Sequence, residues 1–211
     1  MKVFITGING FIGSNLAGFL IDNGLEVSGS VRETSDLSFL KDISVTLHQG
    51  DILNLNFLTE CFQGHEIVFH VAALASDWGS QEDFFRINYI GTQTVAQAAK
   101  RANVRRLVFL SSAAVYGFSG YRYADETYLQ PEDNFYYGLS KRAAEIWLRE
   151  FYQKTGLPIT IIQPANVFGP KDRTFFVKFV PALEHRLIPW ISQGSAWTCP
   201  TCLLYTSDAA D

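Results

Sequence analysis

Val3-Phe4-Ile5-Thr6-Gly7-Ile8-Asn9-Gly10-Phe11-Ile12-Gly13, at the N-terminus, decides the fold. An apolar run stops at three glycines, and a helix-length segment at 13–23 follows. That is a strand turning tightly into a helix, the kind of turn that receives a dinucleotide pyrophosphate. Gly7 permits the bend, Gly10 lets backbone approach the phosphates, and Gly13 lets the helix pack on the strand. The helix start adds unpaired N–H groups and the positive end of the helix dipole. Gly7, Gly10, Phe11, Ile12 and Gly13 are therefore candidate cofactor contacts.

Outward from this turn, strand and helix signals alternate. Apolar runs recur at 3–5, 27–31, 45–47, 67–71, 107–110 and 159–162, with helix-length segments at 13–23, 84–102 and 140–154 among them. Near-continuous apolar strands separated by helices predict a parallel sheet covered on both faces, an α/β doubly wound (Rossmann) fold. Asn23-Gly24 supplies a glycine able to close the first helix in the left-handed conformation. A further helix is predicted over 176–185.

Composition narrows the class. The chain has 211 residues, 47% of them hydrophobic, and a net charge of −4, as in an ordinary soluble globular protein. No basic cluster stands out beyond Lys100-Arg101 and Arg105-Arg106, which read as solvated charges at a helix end and a strand start, so no nucleic-acid partner is expected. No apolar run reaches membrane-spanning length, which predicts no membrane partner. Cys61 stands alone in the body of the chain, so no disulfide framework is expected, and a cytoplasmic location is.

Chemistry enters downstream. Tyr137-Gly138-Leu139-Ser140-Lys141 places a phenol and an amine one helical turn apart. A tyrosine is a weak base at neutral pH, but a nearby ammonium favours its phenolate. Ser112, just past the fifth strand, can hydrogen-bond the same substrate oxygen. Ser112, Tyr137 and Lys141 are the candidate catalytic set, suited to proton transfer at a carbonyl or alcohol. The cofactor is read at the tip of the second strand, Val31-Arg32-Glu33. Val31 cannot bond a ribose hydroxyl, whereas Arg32 can pair a 2′-phosphate, which favours NADP over NAD, with Glu33 blurring the choice. Asp51 and Ile52, after the third strand, are candidates for the adenine end, although Asp51 could instead cap the next helix. Ala72 and Ala73 end the fourth strand with side chains small enough for backbone to lie against a cofactor. His70 reads as structural rather than catalytic.

These motifs in this order resemble the extended short-chain dehydrogenase/reductase superfamily, also called the NAD-dependent epimerase/dehydratase family. The resemblance is carried by TGINGFIG, GDI at 50–52, HVAA at 70–73, NYIGT at 88–92, SSAAVYG at 111–117, YGLSK at 137–141 and QPANVFGP at 163–170. It implies that Lys141 also holds the nicotinamide ribose, that Asn88 lies on a helix behind the site, and that Pro164, Asn166 and Val167 border the nicotinamide. The family's dehydratases carry Asp-Glu where Ala113-Ala114 stand here, so dehydration is not expected. Gln163 stands where an arginine usually opens its motif, which is expected to change a local salt bridge. The segment from Ala72 to Gly79, with Asp77 and Trp78, resembles the 3β-hydroxysteroid dehydrogenase and dihydroflavonol-reductase branch. Trp78 could line an apolar pocket or sit in an exposed loop. The resemblance also implies a homodimer paired through 84–102 and 140–154.

The expected activity is hydride transfer between NADP(H) and a small-molecule secondary alcohol or ketone. A nucleotide-sugar epimerase with tightly bound NAD and a non-catalytic NAD(P)-binding regulatory module stand as alternatives. Residues 1–190 are expected to form the cofactor-binding domain with the start of a substrate region, followed by an irregular stretch at 191–201. The codons permitted by 202–211 match a transposon-based sequencing adapter, so these residues are expected to be read-through and the native protein to continue elsewhere. Cys199-Pro200-Thr201-Cys202 then carries no meaning as a zinc half-site, and the chain as it stands is expected to be inactive.

Overall fold

In the computed structural model the described residues are 1–76, 78–117, 125, 127, 135–173, 176–185, 187 and 200–203. The chain divides into two compact units, Met1–Gln163 and Pro164–Asp211.

The first unit is a six-stranded sheet in the order β3-β2-β1-β4-β5-β6, every pair parallel. The strands are β1 (Lys2–Thr6), β2 (Glu26–Val31), β3 (Thr46–Gln49), β4 (Ile67–His70), β5 (Arg106–Leu110) and β6 (Ile159–Ile162). Helices α1 (Phe11–Asp22), α2 (Leu55–Phe62), α3 (Gln81–Phe84), α4 (Gly91–Arg101) and α5 (Tyr136–Thr155) lie between them. This is the doubly wound α/β architecture expected.

Side-chain alternation along β1 builds the two layers. Phe4 joins one apolar core with Leu58 and Phe62 of α2, Val95 of α4 and Leu148 of α5. Val3 and Ile5 point the other way, onto Ala17 and Leu20 of α1. All three β1 side chains are fully buried, which is why the strand reads as an unbroken apolar run. The strand order reverses between β1 and β4, whose carboxyl ends Thr6 and His70 lie in register. That switch point is where a doubly wound sheet opens a crevice.

Three boundaries differ from the pattern. The segment expected as one helix over 84–102 is α3, then a π-helical turn Phe85–Ile90, then α4. Helix α5 starts at Tyr136, four residues before 140, so Tyr137 lies within its first turn. Helix α2 spans only eight residues, too few for a periodic signal to emerge. Gly24 (φ +77°) follows α1 as expected, and Gly156 (φ +70°), which the sequence reading did not single out, ends α5, donating to Tyr152 O at 2.8 Å. Lys100-Arg101 ends α4 and Arg106 opens β5.

The second unit holds β7 (Asn166–Phe168), α6 (Phe176–Glu184) and β8 (Pro200–Cys202), with β7 and β8 paired in parallel. Ala165 N–H donates to Thr201 Oγ1 at 3.3 Å. Residues 191–199 and 204–211, on which the irregular and read-through expectations mostly fall, lie outside the described residues, as does Asp77. No described helix is long and apolar enough to cross a membrane.

Candidate active site

The glycine turn joins β1 to α1 at the switch point. Gly7 has φ +69°, and a β-carbon there would stand 2.7 Å from Ala72 Cα, so no other residue fits both the backbone and the approach of the chain after β4. Gly13 is confined differently from expectation. A β-carbon on it would strike Gly7 O and the Ile8 backbone, so the helix packs on the turn itself and not on the strand. Gly10 is the N-cap of α1, donates to Gly7 O at 3.1 Å and makes no side-chain cap. Among the described residues no capping side chain accepts from the first N–H groups of α1, which fits an anion. The glycine cradle, the bare helix start and the small Ala72 and Ala73 together fit a dinucleotide.

Around this cradle, Asn9 Nδ2 donates to Asp36 O at 3.3 Å, holding the turn to the loop after β2. Arg32 is exposed at the tip of β2, with its backbone N–H on Ser35 Oγ at 2.9 Å. Asp51 does not cap α2. Its carboxylate accepts from Leu53 N–H at 2.9 Å in its own turn, and Asn54 is the cap, accepting from Phe57 N–H at 3.1 Å. Ile52 is half-buried beside it.

The proposed catalytic side chains sit at the carboxyl end of β5. Ser112 Oγ accepts from Ala114 N–H at 3.1 Å, starting the 3₁₀ turn Ala113–Tyr116, and the Ser112 hydroxyl acts on the Tyr137 phenol so as to favour its ionised form. Ser111 points into the protein, its hydroxyl buried without a partner among the described residues. Phe84 and Phe135 flank the Tyr137 ring edge-on, at 6.4 and 5.8 Å between centroids. Lys141, one turn along α5, is 1% exposed. Its ammonium donates to Leu110 O at 2.8 Å and stands 4.7 Å from the centre of the Phe109 ring.

Burial dominates the electrostatics. It pushes the Lys141 amine down to about 7, with the Glu145 carboxylate opposing. It raises the Tyr137 phenol above its ordinary value, against the Ser112 hydrogen bond. The sequence alone predicts a phenol lowered by Lys141. The structure shows the reverse direction, because the ring is desolvated and the amine is committed to Leu110 O.

Asn88 is buried in the π turn, against the helix that carries Tyr137 and Lys141. Its Oδ1 accepts from Leu74 N–H at 2.8 Å, and its Nδ2 donates to Leu74 O at 3.1 Å and to Ser140 Oγ at 3.0 Å. Ser140 Oγ in turn donates to Tyr137 O at 2.8 Å. Gln163 does more than alter a salt bridge: its amide donates to both oxygens of the nearly buried Glu145 at 2.9 Å, and its Oε1 accepts from Tyr116 O–H at 2.6 Å. Sequence reading missed Ser140, Glu145 and Tyr116 as supports, since nothing local marks their partners. Trp78 is 88% exposed and, among the described residues, bonds with Ser76 in its own turn, which fits the exposed-loop alternative. Pro164, Asn166 and Val167 belong to the second unit, Asn166 and Val167 on β7.

Comparison with known proteins extends this geometry. The chain is 35% identical over 173 residues to a putative dihydroflavonol 4-reductase of Synechocystis, covering 80% of this chain and 50% of the relative. It is 31% identical over 187 residues to the 3β-hydroxysteroid dehydrogenase/Δ5→4-isomerase of Mycobacterium tuberculosis, covering 84% and 50%. The crystal structure of Thermus thermophilus UDP-glucose 4-epimerase in complex with NAD matches with a TM-score of 0.71 at 32% identity, over 82% of this chain and 57% of that one. The chain thus spans about half the length of these proteins. The sequence profile described as the NAD dependent epimerase/dehydratase family matches residues 3–199, and the chain belongs to that family.

Proposed function

We propose that this chain is the cofactor half of an NADP(H)-dependent oxidoreductase that moves a hydride between nicotinamide and a small-molecule secondary alcohol or ketone. One observation carries the reading: the Lys141 amine, buried one helical turn from Tyr137, is held on Leu110 O at 2.8 Å, two residues before Ser112, at the carboxyl end of β5 in the same sheet that carries the glycine cradle. Bound in that cradle, the nicotinamide dinucleotide supplies the hydride donor or acceptor. Ser112 donates a hydrogen bond to the reacting oxygen and holds it. Tyr137 passes a proton to that oxygen in reduction and takes it back in oxidation. Lys141, with an amine that titrates near neutrality, supplies positive charge when the phenolate forms. Ala113 and Ala114 provide no carboxylate for elimination, which supports a reductase or epimerase over a dehydratase.

Arg32, exposed at the tip of β2, supports NADP over NAD by pairing a 2′-phosphate. Pro164, Asn166 and Val167 would border the nicotinamide. A homodimer in the cytoplasm completes the reading.

A fluorescence titration of the purified chain with NADPH and NADH tests it. NADPH preference that collapses roughly tenfold or more in Arg32→Ala supports the assignment, on the scale of one charge-assisted pair. Equal affinities would overturn the NADP choice and point to the epimerase alternative, and binding of neither would overturn the enzymatic reading. In the protein extended to the length of its relatives, Tyr137→Phe should abolish turnover with cofactor affinity nearly unchanged. Retained turnover would remove Tyr137 from the mechanism.

A further inference from the structure

A second polar cluster, behind the proposed catalytic side chains, has no counterpart among the motif roles. His70 ends β4 fully buried, its ring stacked on Phe109 at 5.6 Å between centroids. Each ring nitrogen faces a buried threonine: Nδ1 lies 2.8 Å from Thr6 Oγ1 and Nε2 lies 3.0 Å from Thr92 Oγ1. Thr6 ends β1 immediately before the glycine turn, and Thr92 is the second residue of α4, which follows the π turn.

The hydrogen positions follow from the partners. Asn88 O, a carbonyl, lies 2.6 Å from Thr92 Oγ1 and can only accept, so the Thr92 hydrogen is spent there. Thr92 Oγ1 therefore accepts from His70, which places a proton on Nε2. At Thr6 the Ala72 N–H already donates to Oγ1 at 3.3 Å, leaving the hydroxyl hydrogen with Nδ1 as its one acceptor. An Nδ1 proton would face that hydroxyl donor to donor and leave its hydrogen unpaired in the interior, at a penalty the fold avoids. Only one protonation state satisfies every atom.

We propose that His70 is a positioning residue, an Nε2–H imidazole that keys a one-way chain of hydrogen bonds from the cofactor strand to the main chain of Tyr137. The chain runs Thr6 O–H to His70 Nδ1, His70 Nε2–H to Thr92 Oγ1, and Thr92 O–H to Asn88 O. From Asn88 Nδ2–H it passes to Ser140 Oγ and from Ser140 O–H to Tyr137 O. It holds the π turn between the strand that starts the glycine turn and the helix that carries Tyr137 and Lys141. The π turn is held on one side by Thr92 O–H on Asn88 O and on the other by Asn88 Nδ2–H on Ser140 Oγ. Burial keeps the imidazole neutral, and the charged group acting on it, the Lys141 ammonium, opposes a second positive charge. The link to catalysis rests on the reading above; the protonation state does not.

Nitrogen-15 NMR of the whole chain with labelled histidine tests the proposal, with His70→Asn assigning the signal by its loss. The expected spectrum shows Nε2 protonated and Nδ1 bare, unchanged from pH 5 to pH 8. A Thr92→Ser variant keeps the Nε2 proton hydrogen-bonded and downfield, and Thr92→Val moves it upfield. A proton on Nδ1, a titration within that range, or an unmoved Nε2 proton in a folded Thr92→Val overturns the proposal. The wild-type spectrum decides even where the valine variant does not fold. NADPH titration of the same sample separates the two readings: the His70 pattern without NADPH binding sinks only the enzymatic one.

Discussion

Replacing Lys141 by methionine should stabilise the chain while removing its proposed chemistry. The amine is 1% exposed, and burial pushes it from an ordinary 10.5 down to about 7. At ~1.4 kcal/mol per pH unit, keeping the proton in the folded state costs on the order of 5 kcal/mol below pH 7. There both folded and unfolded chains are protonated, so the penalty is complete and constant. Between about 7 and 10.5 the unfolded chain keeps a proton that the folded chain has lost, so stability rises with pH. Wild type should gain roughly 2 kcal/mol from this group between pH 7 and pH 9. Methionine has a similar length and no charge to desolvate, but it abandons the Leu110 carbonyl, which takes back ~1–3 kcal/mol. The balance is a variant more stable than wild type by ~1–3 kcal/mol at pH 7, with the advantage shrinking toward zero at pH 9. Cys61, held up at about 11 by burial, works in the opposite direction at high pH, but equally in both proteins. Urea unfolding at the two pH values, read as the difference between variant and wild type, is the assay. A methionine variant less stable than wild type at pH 7, or a difference independent of pH, would refute the reasoning.

Two further substitutions test the scaffold. Gly7→Ala forces a side chain into φ +69° and into the Ala72 backbone; it should destabilise by ~2–4 kcal/mol in urea unfolding and abolish NADPH binding in a fluorescence titration, and near-wild-type values for both would contradict the cradle. Gln163→Leu strips both amide hydrogen bonds from the nearly buried Glu145 carboxylate, which then retains only Arg149, at 4.0 Å, among the described ion pairs; a loss of ~2–3 kcal/mol at pH 7 is expected, and a neutral result would mean that water replaces the amide.

Some features of this chain are local and could be read without the fold. The glycine turn is one, because φ +69° at Gly7 and the crowding at Gly13 arise within a few residues of backbone. The Tyr137–Lys141 spacing is another, set by the helical repeat. The parallel sheet follows from β1, where Val3, Phe4 and Ile5 are apolar on both faces because both faces are covered. Helix starts were less legible: α5 begins at Tyr136 with no side-chain cap to announce it, and the π turn at 85–90 leaves no mark in the hydrophobic pattern.

What the tertiary structure decided is everything that depends on partners far along the chain. Thr6 meets His70 across 64 positions, Asn88 meets Ser140 across 52, and Tyr116 meets Gln163 across 47. No period or propensity encodes such pairs, since each is made by packing two elements whose side chains are individually unremarkable in sequence. The same holds for charge. The residue types at 137 and 141 state which groups can exchange a proton, but desolvation sets their direction, and burial exists only once the sheet, α4 and α5 have closed around them. Sequence determined the fold and the kinds of chemical group at the site; packing determined which groups touch and which of them carry a proton.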